Sequence, residues 1–213
     1  MDFQNQNVIV KLIWAGLLVA VCVALFTTRW SLAFVALVTF ALTLFPTFFV
    51  ERFQIKLPQS FIVLIVSFVF ATIFLGEAFD FYERYWWWDI TMHGASAIGF
   101  GLIGFLFVFM LFEGDRYRAP PVALSFIAFC IAVTIGAAWE IFEFSMDQIF
   151  GLNMQKSGLL DTMGDLIVDM IGAAIGAIAG FFFLKRWRFI GLAYMIRDFV
   201  RTNRHFYAKN DDD

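Results

Sequence analysis

Several residue types that carry familiar chemistry are scarce in this chain of 213 residues. It contains two cysteines and two histidines, and charged residues make up only 15% of it. Cys22 and Cys130 lie far apart in apolar runs, so neither a disulfide framework nor a thiolate metal site is indicated. There is no G-x-S-x-G turn, no Cys–His arrangement and no Walker loop, which excludes the common nucleophile and nucleotide motifs. No basic cluster suits nucleic acid, and we expect no nucleic-acid partner.

Hydrophobic residues, in contrast, are abundant. They make up 62% of the chain, Phe alone occurs 30 times, and the mean hydropathy is +0.80. A membrane-spanning helix needs about 20 mostly apolar residues. Six runs meet that length, at about 8–27, 31–50, 60–79, 88–112, 121–147 and 161–184. The predicted fold class is therefore an all-α integral membrane protein with about six transmembrane helices.

The residues after the sixth run predict a different kind of helix. Apolar residues recur there at helical spacing, while arginines lie off that stripe. The stripe consists of Phe189, Leu192, Ala193, Ile196, Phe199 and Val200. We expect a transmembrane domain over 1–184, a cytoplasmic amphipathic interfacial helix over 185–205 in contact with membrane lipids, and a disordered acidic tail over 206–213. The alternative is a solvated helix used for contacts in a dimer.

The loops between the runs predict the orientation of the chain. Lys and Arg are more frequent in the loops after the second, fourth and sixth runs than in the others. Positively charged loops stay in the cytoplasm, so the protein should be multi-pass with both termini cytoplasmic. The N-terminus does not read as a cleaved signal peptide, because no basic residue precedes Lys11.

Seven acidic residues and one histidine interrupt the last three runs. They are Asp89, His93, Glu140, Glu143, Asp147, Asp161, Asp165 and Asp169. With both termini inside, all eight fall in the outer half of the membrane. At about 100° per residue, the members of each run also share one helix face.

The acidic face of the sixth run continues inward as small residues. Gly172, Gly176 and Gly180 follow Asp169 at intervals of about one turn, and small residues allow helices to approach closely. We expect this face to pack against the fourth run. The small residues of that run are Gly94, Ala97, Gly101 and Gly104.

Charge predicts the chemistry of this cluster. Ionised carboxylates in a low-dielectric site are costly unless a cation or a proton accompanies them, and ionisable residues inside a membrane usually serve function. Oxygen ligands with one imidazole favour Mg, Ca, Mn or Fe. The predicted ligands of a divalent metal ion are His93, Glu140, Asp161, Asp165 and Asp169. Glu143 and Asp89 are candidates for a general base or for orienting a ligand. A buried structural histidine and a proton-transfer role remain alternatives for His93.

Three segments resemble a known family. "WWWDITMHGASAIGFG", "WEIFEFSMD" and "LLDTMGDLIVDMIGAAIG" are similar to the YjdF-like family of bacterial inner-membrane proteins. The resemblance covers about the second half of the chain. It implies a multi-span protein of the bacterial inner membrane, whose activity is not established, and it assigns no role to any residue.

Three functions are compatible with the pattern. The first is a membrane enzyme that uses a metal and acts on a lipid or lipid-linked substrate. The second is a transporter of divalent cations or protons, although the inner halves of the last three runs carry no charged residue and no inverted repeat is visible. The third is a non-catalytic, metal-stabilised subunit of a membrane complex, with partner membrane subunits or a second copy of the chain.

Overall fold

The computed structural model describes residues 6–113, 119–186 and 191–207, and the described chain is helical with no strand. The helices are α1 (Val8–Phe26), α2 (Trp30–Phe53), α3 (Gln59–Val69) with a π-helical continuation (Phe70–Ala78), α4 (Phe81–Arg84), α5 (Trp88–Glu113), α6 (Pro121–Phe150), α7 (Leu159–Leu184), α8 (Leu192–Thr202) and α9 (Arg204–Tyr207). Five of the described helices are long and apolar enough to cross a membrane. They are α1, α3 with its continuation, α5, α6 and α7. Helix α2 contributes a shorter apolar stretch, Trp30–Pro46, and an all-α membrane protein is confirmed.

Local signals place the helix ends close to the predicted ones. The Asn7 side chain accepts a hydrogen bond from the Ile9 backbone N–H and caps α1. Pro121 is the first residue of α6, where the missing N–H costs nothing. Gly151 follows the end of α6 with φ at 67°, a left-handed conformation that favours glycine. Helix α6 extends to Phe150, slightly beyond its predicted end.

The described helices form two compact units, Met1–Trp88 and Asp89–Asp213. The sequence had predicted one transmembrane domain over 1–184 and had not indicated this division. In the first unit, Val10 and Trp14 of α1 pack with Ile62 and Val66 of α3. The Trp14 indole N–H also donates to the Thr43 hydroxyl of α2 at 3.1 Å. Trp14 of α1 therefore contacts both α2 and α3.

Helices α5 and α7 of the second unit approach each other through small residues, as predicted. A Cβ at Gly176 would lie 2.6 Å from the Ile98 carbonyl oxygen and 2.9 Å from the α-carbon of Gly101. A Cβ at Gly172 would lie 2.8 Å from the Ala97 Cβ. Backbone therefore packs on backbone, and only glycine fits.

Gly104 was predicted on this contact as well, and that prediction is wrong. A Cβ at Gly104 would instead lie 3.1 Å from the Ala128 carbonyl oxygen of α6. Gly104 lies about 60° around the axis of α5 from Gly101, and at this position the nearest neighbours belong to α6 rather than to α7.

The C-terminal helices α8 and α9 belong to the second unit, and α9 packs against α5. The Tyr207 ring stacks on Phe109 of α5 with centroids 5.4 Å apart, and its hydroxyl donates to the Leu106 carbonyl oxygen at 3.2 Å. Ala193 and Ile196 of α8 are buried, whereas Arg197 and Arg201 are exposed. Helix α8 is thus amphipathic, and part of its apolar stripe is buried within its own protein.

The predictions about the C-terminus fall partly outside and partly inside the described residues. Phe189 of the stripe and residues 208–213 of the acidic tail lie outside the described residues. Phe206 and Tyr207, which were predicted to be disordered, belong to helix α9 because Tyr207 packs against α5.

Candidate metal centre

Seven carboxylates and one histidine of the predicted cluster are distributed over α5, α6 and α7 near one end of the second unit. Burial increases with depth on two of the helices. On α7 Asp161 is half-buried, while Asp165 and Asp169 are 3% and 2% exposed. On α5 Asp89 is half-buried and His93, one turn further, is 7% exposed. The predicted convergence of the three helices is therefore present, with a half-buried mouth and a buried interior.

His93 lies at the centre of the cluster and is close to acids of all three helices. Its Nε2 atom is 3.8 Å from an oxygen of Asp89 and 3.8 Å from Oε1 of Glu140. Its Nδ1 atom is 3.4 Å from both oxygens of Asp169. The imidazole thus has a carboxylate on each side, from α6 at one nitrogen and from α7 at the other.

Two sets of side chains have geometry suited to a metal ion. His93, Glu140 and Asp165 form one set, with a ligand atom of each within 4.8 Å of the others. Asp89, Asp161 and Asp165 form the second set by the same measure. A cation about 2.0–2.6 Å from each oxygen ligand keeps those ligands within roughly twice that distance of one another, and both sets satisfy this.

Glu140 has the least satisfied side chain of the cluster. It is 4% exposed, and both of its carboxylate oxygens are buried without a well-formed hydrogen bond among the described residues. The helices α5, α6 and α7 contain no Lys or Arg in their sequences. A buried carboxylate that lacks well-formed hydrogen bonds is costly, so this position is the one that most requires a cation.

Asp169 was predicted as a ligand, but it belongs to neither set. It lies behind the imidazole, at Nδ1, whereas Glu140 and Asp89 face Nε2. Histidines that bind metals commonly donate their second ring N–H to a carboxylate, which fixes the ring and its tautomer. The position of Asp169 suits this orienting role better than direct ligation.

Glu143 and Asp147 also lie outside both sets. Glu143 is buried, and Oε1 accepts a hydrogen bond from the Trp139 indole N–H at 2.8 Å. The Asp147 carboxylate accepts from the backbone N–H groups of Met154 and Gln155 at 2.7 and 2.9 Å. Asp147 therefore stabilises the loop between α6 and α7, although the sequence had grouped it with the cluster.

The sequence interpretation missed Gly136. A Cβ at this position of α6 would lie 2.9 Å from Cγ and 3.2 Å from Cβ of Asp169, so the glycine leaves the space that the Asp169 carboxyl group occupies. Its spacing was a possible signal, because Gly136 precedes Glu140 by one turn and shares its face.

Comparison with known proteins agrees with this architecture. A family described as "Predicted membrane protein (DUF2238)" matches residues 9–186. The chain belongs to this family. The YjdF-like resemblance is consistent with that membership, and the family description assigns no activity.

An uncharacterized protein of Thermotoga maritima is 32% identical to the chain over 117 residues. The match covers 55% of this chain and 59% of that protein, so the chain spans less than two thirds of the relative's length. No solved structure matches the chain significantly.

Proposed function

We propose that this membrane protein is a metal-dependent enzyme whose centre binds a divalent cation at His93, Glu140 and Asp165. The observation that carries the proposal is Glu140, whose two buried oxygens lack well-formed hydrogen bonds while Oε1 lies 3.8 Å from His93 Nε2. Three ligands from three helices would leave positions for water and substrate, as in catalytic rather than structural metal sites. The oxygen-rich set favours Mg, Mn, Fe or Ca.

The surroundings of the site favour a lipid or lipid-linked substrate. Helix α6 carries Glu140 and Glu143 on its buried face, and exposed apolar side chains at the same depth on its other faces. These are Trp139, Ile141, Phe142 and Phe144. Hydrocarbon of the bilayer would thus lie beside the metal ligands, and the half-buried Asp89 and Asp161 would border the mouth of the site.

In this proposal the metal ion would make bound water a nucleophile or polarise an oxygen of the substrate. Glu143 would accept the proton, since it is buried one turn from Glu140 and belongs to neither ligand set. Asp169 would hold the imidazole of His93 with Nε2 directed to the ion. The Lys and Arg distribution supports an orientation in which the mouth would open to the outer face of the bacterial inner membrane and both termini would be cytoplasmic.

Packing below the site favours an enzyme over a transporter. Beyond Asp169, the buried face of α7 continues with residues whose side chains carry no polar atom, namely Gly172, Ala173, Gly176, Ala177 and Gly180. Phe105 of α5 is fully buried and would contact a Cβ placed at Gly180. A hydrated ion would find no polar side chain along that face.

The first test is the metal content of protein purified without chelators. We expect a stoichiometric divalent metal by elemental analysis, and its loss in Glu140→Gln, which keeps the shape of the side chain and removes the charge. Glu83→Gln is the matched control, because Glu83 is exposed in α4 and its substitution should leave the metal in place. A wild-type protein that binds no divalent metal would refute the proposal.

A second test separates catalysis from transport. Metal-loaded protein is incubated in bilayers of bacterial lipid extract, and new lipid products are sought by mass spectrometry; the same preparation is assayed for Mn²⁺ flux. Lipid turnover that disappears in Glu143→Gln, while metal content persists, supports the enzyme. Mn²⁺ flux higher than that of empty vesicles, without lipid turnover, would identify the protein as a transporter. If neither flux nor turnover is detected, the remaining explanation is a structural metal clamp.

A further inference from the structure

The two ligand sets of the candidate centre share one residue, Asp165. His93 and Glu140 group with Asp165 on the buried side, and Asp89 and Asp161 group with Asp165 nearer the mouth. Asp165 is 3% exposed, so its carboxylate is enclosed by the two sets rather than by water. A carboxylate has two oxygens and can bind a different cation with each.

We infer that the site binds two divalent cations bridged by the carboxylate of Asp165. This inference rests on the proposed function, and it adds the number of ions and the ligands of each. The deep ion would bind His93, Glu140 and Asp165. The mouth ion would bind Asp89, Asp161 and Asp165.

A single ion accounts poorly for the geometry. The five ligand residues form two sets of three in the described structure, and no set contains all five. One ion would therefore leave either Glu140 or Asp161 outside its reach. Metal ions in two-metal sites lie about 3.5–4 Å apart, a separation that one bridging carboxylate spans.

Charge favours two ions as well. The cluster holds carboxylates from all three helices, whose sequences contain no Lys or Arg. The deep ion would satisfy the two oxygens of Glu140, which lack well-formed hydrogen bonds among the described residues. With the deep ion alone, Asp89 and Asp161 would remain close to Asp165, and the three carboxylates would repel one another. The mouth ion would offset this repulsion.

The two positions would serve different purposes. The deep ion has buried ligands from three helices and an imidazole held by Asp169, which suits permanent binding. The mouth ion has two half-buried ligands and would retain water in its remaining positions. Substrate would therefore meet the mouth ion first, and paired ions of this kind stabilise both the attacking and the leaving oxygen of a displacement.

Titration of the full-length purified chain with Mn²⁺ tests the inference. Bound Mn²⁺ is counted by equilibrium dialysis and elemental analysis, and electron paramagnetic resonance reports whether the ions interact. We expect two Mn²⁺ per chain, with the broadened spectrum of an exchange-coupled pair. Asp161→Asn should reduce the count from two to one and restore the six-line spectrum of an isolated ion.

Further variants separate the two positions. Glu140→Gln should weaken the deep ion, Asp165→Asn should abolish both, and the exposed control Asp80→Asn should keep two coupled ions. Retention of two coupled ions by Asp161→Asn would overturn the ligand assignment. If a variant fails to fold by gel filtration and circular dichroism, the wild-type count and spectrum still decide. One uncoupled Mn²⁺ per wild-type chain refutes the bridge but leaves the proposed function, whereas no bound Mn²⁺ or other divalent metal refutes both.

Discussion

The Asp169 carboxyl group occupies the space where a side chain at Gly136 would begin. A Cβ at Gly136 would lie 2.9 Å from Cγ of Asp169, and the same carboxylate lies 3.4 Å from Nδ1 of His93. The three residues come from α6, α7 and α5. A glycine on one helix thus allows an acid on the second to orient a histidine on the third.

Gly136→Ala tests this chain of contacts. The added methyl group should displace the Asp169 carboxyl group and free the imidazole, and loss of such an orienting contact typically weakens metal binding about 10–100-fold. Mn²⁺ affinity of the purified variant measures the effect. Gly99→Ala is the control, since nothing lies within 4 Å of a Cβ at Gly99. Equal affinities in the two variants would show that Asp169 does not depend on this space.

Asp169→Asn distinguishes an orienting residue from a ligand. Asn keeps an acceptor for the Nδ1 proton, so we expect metal to be retained with affinity lowered about 10–100-fold. Asp165→Asn, at the shared ligand, should remove bound metal. Elemental analysis before and after dialysis against a weak chelator provides the comparison. If Asp169→Asn loses metal as completely as Asp165→Asn, then Asp169 is a ligand, as the sequence alone predicted.

Gly176→Ala should destabilise the contact between α5 and α7. Its methyl group would meet the Ile98 carbonyl oxygen at 2.6 Å, which is backbone and cannot move without separating the helices. Overpacking of this kind costs about 1–3 kcal/mol, and thermal unfolding in detergent should show a lower Tm. Gly16→Ala in α1 meets nothing within 4 Å and should leave the Tm unchanged or higher. Unchanged stability of Gly176→Ala would mean that the helices are less closely packed.

Asp147→Asn should affect the loop between α6 and α7 and spare the metal. An amide retains one acceptor oxygen in place of the two that receive the N–H groups of Met154 and Gln155. A hydrogen bond to a charged group contributes about 1.5–3 kcal/mol, so amide hydrogen exchange over residues 152–158 should accelerate. Metal content should match the wild type. If the variant instead loses its metal while amide hydrogen exchange in the loop stays slow, Asp147 belongs to the metal centre.

The sequence predicted the helices well because their signals are local. Apolar length was the signal used, and in the structure Asn7, Pro121 and Gly151 each act within a few residues of a helix end. The common face of Asp161, Asp165 and Asp169 follows from the helical repeat alone. The small-residue face of α7 also predicted its neighbour, since α5 had a matching run of glycine and alanine.

The same signals could not predict the arrangement around His93. Whether Asp169 faces Nδ1 or a metal ion depends on how far α7 is rotated and displaced relative to α5, and contacts such as Gly176 with the Ile98 carbonyl fix that displacement. The role of Asp147 required the path of the loop, and the docking of Tyr207 on Phe109 required the position of α9.

The sequence by itself thus determined which segments are helical, that they belong in a membrane, and which side chains share a face. Tertiary structure alone decided which carboxylate faces which nitrogen of His93, that Asp165 is common to two ligand sets, and that Gly136 leaves room for Asp169. The physical reason is that a helix's periodicity fixes angles about its own axis. Distances between atoms on different helices depend on packing between backbones, where one methyl group is enough to change them.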